Sequence, residues 1–166
     1  EIETIVVGFL RENCYIVTKN GKTIIIDPGD EAQKIIDACK NKTVVGVLLT
    51  HHHFDHVGAL QKIKTYFGVE TDVFIDDFGY EIIETPGHTS DSKTYYFPLE
   101  KVMFTGDFIF YGTIGRMDLP SGSKRDMEHS LEKIKDYPLD IKIYPGHGAP
   151  STLQREVPHF YEYLQE

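Results

Sequence analysis

Only two cysteines occur in the 166 residues, Cys14 and Cys39, far apart and without the close spacing of metal-binding pairs. This excludes a disulfide-stapled scaffold and points to a reduced, cytoplasmic chain. No apolar run approaches the roughly 18 residues of a membrane span, so no membrane partner is expected. No leader-like stretch opens the sequence, although it starts at Glu1 and not at Met, which leaves room for a trimmed segment. Basic residues are the minority, 17 Lys and Arg against 26 Asp and Glu, and they form no block. A net charge of −9 argues against nucleic acid as a partner. Solenoid-length repeats, linkers and low-complexity tracts are also missing.

What is present is ordinary for a globular protein: 40% hydrophobic and 26% charged residues, in a length that suits one domain over residues 1–166 with a sizeable core. Strands are expected over Thr4–Leu10 and Asn13–Thr18, followed by a two-residue turn at Asn20-Gly21 and a buried strand over Lys22–Ile26. A helix is expected over Glu31–Lys40, capped by Asp30. Val44–Leu49 reads as a buried strand, and Val57, Leu60, Ile63 and Phe67 recur at helical spacing up to a stop at Gly68. Further strands are expected over Val73–Ile75, Tyr80–Glu84, Lys93–Phe97, Val102–Thr105 and Ile141–Tyr144. Tyr111–Ser123 is irregular, Asp126–Asp136 is an amphipathic helix, and Leu153–Leu164 is helical around Pro158. Strands in two groups, each followed by helices, indicate an α/β or α+β class.

The stretch Thr50-His51-His52-His53-Phe54-Asp55-His56 lies where the Val44–Leu49 strand runs out into a helix. In an extended segment His51 and His53 share a face, and Asp55 and His56 follow at the turn into the helix. Imidazole with carboxylate suits zinc, iron or manganese better than calcium or magnesium. His52 points the other way, and it, His129 and His159 are read as non-ligands. Three more candidates stand alone, each after a strand and beside glycine: His88 in Pro-Gly-His-Thr, Asp107 in Thr-Gly-Asp and His147 in Pro-Gly-His-Gly. A small neighbour lets the backbone turn sharply and an ion approach.

Thr-His-x-His-x-Asp-His after a strand resembles the signature of the metallo-β-lactamase-fold superfamily, and this copy is most similar to the hydrolase branch around glyoxalase II. The resemblance implies a four-layer αββα sandwich with the metal site at one edge between the sheets. It implies two divalent transition-metal ions, zinc in the first place with iron or manganese as alternatives. His51, His53 and His88 would hold one metal, Asp55, His56 and His147 the second, with Asp107 bridging. A bridging hydroxide would attack a thioester or related activated ester, with Asp55 orienting it and no serine or cysteine nucleophile needed. Cys14 and Cys39 are then core residues. Two bound dications would bring the formal charge to about −5.

Asp27, in Ile-Asp-Pro-Gly, matches a family acid that supports the ligands from behind; a turn at the start of a helix is the equal alternative. Gly115-Arg116-Met117-Asp118 resembles a glyoxalase II segment in which a basic residue faces the substrate's anionic end. Arg116 is therefore a candidate carboxylate clamp, and a surface pair with Asp118 is the other reading. The stretch between His56 and His88 is short for the family, and the helical domain that helps glyoxalase II hold glutathione is expected to be absent. The expectation is a cytoplasmic metal-dependent hydrolase of small molecules, monomeric or a small homo-oligomer. Its rivals are a mononuclear iron oxidoreductase like the persulfide dioxygenases and a non-catalytic metal-binding protein.

Overall fold

Three consecutive isoleucines, a tight Asn-Gly turn and a glycine-closed helix explain most of the first half. A computed structural model describes residues Glu1–Glu166, which divide into two compact units, Glu1–Phe78 and Gly79–Glu166.

In the first unit, strands β1 (Ile2–Val7), β2 (Glu12–Lys19), β3 (Lys22–Ile26) and β4 (Val44–Leu48) form one sheet in that order. β1, β2 and β3 are antiparallel neighbours, and β4 pairs parallel to β3. The parallel pair requires a crossover, supplied by helix α1 (Ala32–Ala38). Asn20 and Gly21 both have positive φ, 53° and 77°, as the β2–β3 turn demands. Ile16, Ile25 and Val47 pack with Ile35 of α1 and Ile63 of helix α3 (Leu60–Phe67). Their neighbours Tyr15, Ile24 and Leu48 point the other way and are also buried, so the isoleucine run serves both faces. Removing the side chain of Ile25 would cost about 2–5 kcal/mol.

Several local expectations differ from the structure, beginning with the first strand, which is Ile2–Val7 and gives way to a turn before Leu10. Asp30 does not cap α1. The cap position is Glu31, in left-handed backbone and without a capping side-chain bond, because Asp30 Oδ1 accepts from Glu31 N at 2.7 Å and the Glu31 carboxylate accepts from Gly8 N at 2.8 Å. The helix after the histidine stretch is two helices, α2 (Phe54–Val57) and α3, and Gly68 closes the second at φ 65°. Val73–Ile75 forms no strand. Thr71 makes one bridge to Val47, then Asp72 turns the chain at φ 58°. Asp72 Oδ1 accepts from Leu49 N at 3.1 Å, and the chain returns through Ile75, whose side chain lies over Gly46, to buried Phe78. Strand propensity without a partner edge left Val73 and Phe74 exposed.

In the second unit, the sheet order is β11 (Ser151–Thr152), β10 (Lys142–Pro145), β7 (Val102–Gly106), β6 (Lys93–Phe97) and β5 (Glu81–Glu84). β10 and β7 are parallel and the other pairs antiparallel. The segment expected to be irregular, Tyr111–Ser123, begins inside a small hairpin: β8 (Ile109–Phe110) precedes it and pairs with β9 (Thr113–Ile114) within it. Helix α4 (Lys124–Ile134) starts ahead of the expected position because Ser123 Oγ accepts from Asp126 N at 3.1 Å. Its Met127, Leu131 and Ile134 pack on Ile83, Met103 and Ile143 of the sheet and on Phe160 and Tyr163. Helices α5 (Leu153–Glu156) and α6 (Phe160–Leu164) flank a 3₁₀ turn holding Pro158. No helix is long and apolar enough to cross a membrane.

Candidate metal centre

Each unit carries a set of donors at the ends of its strands. In the first unit the chain leaves β4, and Thr50 N donates to Asp27 Oδ1 at 2.8 Å. The next residues hold His51 and His56 buried, with His53 and Asp55 partly open. The ring centroids of His51 lie 4.9 Å from His53 and 4.2 Å from His56. His56 Nε2 is 3.6 Å from Asp55 Oδ2. His52 is exposed, as are His129 and His159.

The hydrogen bonds behind these rings decide their tautomers. Asp27 Oδ2 accepts from His56 Nδ1 at 2.8 Å and from Thr50 Oγ1 at 2.6 Å. Because the Thr50 hydroxyl proton goes to Asp27, its oxygen accepts from His51 Nδ1 at 3.1 Å. His88 Nδ1, in the second unit, lies 2.8 Å from the carbonyl of Arg116, which can only accept. All three imidazoles therefore carry the proton on Nδ1 and keep the Nε2 lone pair for a metal. Asp27 thus stands directly behind the donors in addition to ending β3.

In the second unit, His88 follows β5, Asp107 follows β7 and His147 follows β10. Asp107 Oδ2 lies between two imidazoles, 3.4 Å from His88 Nε2 and 3.6 Å from His147 Nε2. Glycines permit this closeness. A Cβ on Gly87 (φ 148°) would come within 2.7 Å of the Met127 backbone, and one on Gly115 within 1.7 Å of the Asp107 carbonyl and 3.2 Å of His88 Nδ1. Gly146 N donates to Gly106 O at 2.8 Å, tying two donor loops together. The donor set in each unit, imidazole nitrogen with carboxylate oxygen, fits zinc, iron or manganese.

Arg116 is exposed and makes a two-pronged pair with Asp118, Nε to Oδ1 at 2.7 Å and Nη2 to Oδ2 at 2.9 Å. The guanidinium holds the Asp118 carboxyl down at about 2. Both lie beside a cavity of about 540 Å³ that also touches Thr113, Ser123, Lys124 and Tyr163. Sequence reasoning missed the carbonyl of Arg116, the hydroxyl of Thr50 and the buried Glu12, whose Oε2 is 3.9 Å from His56 Nδ1. Only Glu12 carries a visible signal, an acid at the head of an apolar strand. Cys14 and Cys39 are buried free thiols, and burial is the main cause raising both, Cys39 to about 11.

The metallo-beta-lactamase superfamily model matches residues 7–77 and 68–147. The two matched ranges overlap over residues 68–77, where Val73–Ile75 forms no strand. The chain is 33% identical to hydroxyacylglutathione hydrolase GloC of Haemophilus influenzae, over 93% of this chain and 94% of that one. Among solved structures it is similar to the BLEG-1 B3 metallo-beta-lactamase, with TM-score 0.88 and 26% identity over 96% of this chain and 97% of that one. It is similar also to TTHA1623 in a di-iron-bound form, with TM-score 0.87 and 26% identity over 93% and 96%. The chain has the metallo-β-lactamase fold, and it belongs to the metallo-β-lactamase superfamily.

Proposed function

We propose that both units act as one catalytic domain, in which His51, His53, His88, Asp55, His56, Asp107 and His147 hold two divalent transition-metal ions and hydrolyse a thioester or related activated ester. The observation that carries this reading is the common tautomer of His51, His56 and His88, each backed by an acceptor at Nδ1. When bound, a pair of such ions lowers the pKa of a water towards neutrality and polarises the scissile carbonyl. The GloC relative supports the thioester class, and the di-iron form of TTHA1623 supports a two-metal site while leaving iron beside zinc as a candidate.

The chain's own groups divide the remaining work. Asp55, partly open, accepts a hydrogen bond from the attacking water and orients it. Asp107 lies between two imidazoles and sets their separation. Asp27 and Thr50 fix ring orientation. Arg116 offers a cation to an anionic substrate end, in exchange with Asp118. Neither cysteine acts as nucleophile, since both are buried and their thiols are raised. Two free thiols suit a reducing, cytoplasmic setting.

Metal analysis of the purified protein, with a panel of thioesters, esters and a persulfide, tests the reading. Close to two transition-metal ions per chain and thioester hydrolysis are expected. One iron per fully loaded chain, with oxygen consumed on the persulfide, would replace it with the dioxygenase reading.

A further inference from the structure

Glu156 is a fully buried carboxylate at the end of α5, outside every motif of the sequence. It accepts from Ser151 Oγ and from Tyr163 Oη, the latter at 2.7 Å. Gly112 N donates to both of its oxygens, at 3.1 and 3.3 Å. Arg155 adds a charge at 3.3 Å and lays its guanidinium 4.0 Å from the ring centroid of Tyr111. Gly112 and Tyr111 are the tip of the β8–β9 hairpin, and Gly112 sits at φ 81°.

That hairpin and the two residues after it, Gly115 and Arg116, meet all three donors of the unit. Gly115, just after β9, lies against the Asp107 carbonyl, and its N donates to Phe108 O at 3.1 Å. The Arg116 carbonyl holds His88 Nδ1. Phe110 meets the ring of His147 edge-on, with centroids 6.2 Å apart. We infer that Glu156 is a positioning residue: by clasping the hairpin tip through Gly112 it sets the spacing of His88, Asp107 and His147 for metal. The inference rests on the metal reading above. A carboxylate suits the task because its two oxygens accept from Gly112, Ser151 and Tyr163 at once, whereas an apolar side chain would leave the Gly112 N–H without this acceptor.

The test compares Glu156→Leu, which removes the acceptor of the Gly112 N–H, with Ser151→Ala and Tyr163→Phe, which remove donors but leave the Gly112 bond. Zinc affinity is read by chelator competition, and the Tm of each metal-free protein is recorded alongside. The expected result is zinc binding about 10–100-fold weaker in Glu156→Leu, the range seen when groups behind metal ligands are lost, and wild-type affinity in the other two. Wild-type affinity in Glu156→Leu, or affinity falling in all three variants in step with Tm, would overturn the inference and leave the metal reading standing. Failure of the wild-type protein to bind any transition metal would overturn both. Should Glu156→Leu not fold, amide exchange in the wild-type protein decides: zinc slows exchange of the Gly112 N–H if the clasp and the donors are coupled, and an unchanged rate refutes the coupling.

Discussion

Oδ2 of Asp27 takes the Nδ1 proton of His56 at 2.8 Å and the hydroxyl proton of Thr50 at 2.6 Å. One oxygen therefore sets two rings, His56 directly and His51 through Thr50. Asp27 has φ 56°, a conformation that Asp and Asn adopt more readily than other side chains. The residue that ends β3 and the residue that orients the donors are the same one.

Asp27→Asn separates these two roles. Asparagine keeps the backbone conformation and can accept from Thr50 N with its carbonyl oxygen. Its amide then faces His56 Nδ1, donor against donor. The ring must accept there and carry its proton on Nε2, which removes the lone pair offered to metal. The expected result is a folded protein with metal affinity lower by about 10–100-fold. Unchanged affinity in a chelator titration would show that His56 does not use Nε2 for metal.

Gly115→Ala and Gly68→Ala form a second contrast. A Cβ at Gly68 meets nothing within 4 Å but is strained at φ 65°, which costs about 1–2 kcal/mol. A Cβ at Gly115 collides with the Asp107 carbonyl and presses on His88 Nδ1. Both substitutions should lower Tm, and only Gly115→Ala should also lower metal content. Full metal content in a folded Gly115→Ala protein would mean that this close approach does not set the donor spacing.

The histidine stretch was legible because its spacing is local, a strand end and the turn into a helix, although the rings themselves are fixed from far along the chain by Asp27. His88, Asp107 and His147 were legible only as glycine-flanked strand ends within a family pattern. Thr50 and the Arg116 carbonyl were not, because tautomer control depends on which atom lies opposite, and a backbone acceptor has no residue-type signature. The Val73–Ile75 expectation failed for a related reason. Propensity describes a segment, but a strand needs a partner edge, and Asp72 turns the chain away from β4 after one bridge. Asp30 has the residue type of a cap, but its carboxylate is taken by the amide of the next residue.

The thiols give a pH-dependent prediction. Burial raises Cys14 and Cys39 above their ordinary value of 9.0. A raised acid group stabilises the fold fully below the unfolded pKa, and that contribution is lost as pH climbs above it. The native protein should therefore lose stability above about pH 9. Both thiols should resist alkylation at neutral pH until the chain unfolds. Rapid labelling of either thiol in the native state at neutral pH would contradict their burial.

Arg116 and Asp118 supply the last prediction. Both side chains are exposed, 61% and 69%, so solvent and salt screen whatever charge they present. Asp118 is held down at about 2 and stays ionised across the physiological range. It occupies the fork of Arg116, so a substrate carboxylate must compete with it. Removing the competitor should help: Asp118→Asn should lower KM for anionic thioesters and leave neutral ones unchanged. Arg116→Ala should do the reverse, raising KM severalfold for anionic substrates only, with the difference shrinking as salt is added. The backbone carbonyl that holds His88 survives both substitutions, so kcat on neutral substrates serves as the internal control. If Arg116→Ala lowers kcat equally for neutral and anionic thioesters, its side chain holds the loop that carries this carbonyl and does not meet the substrate.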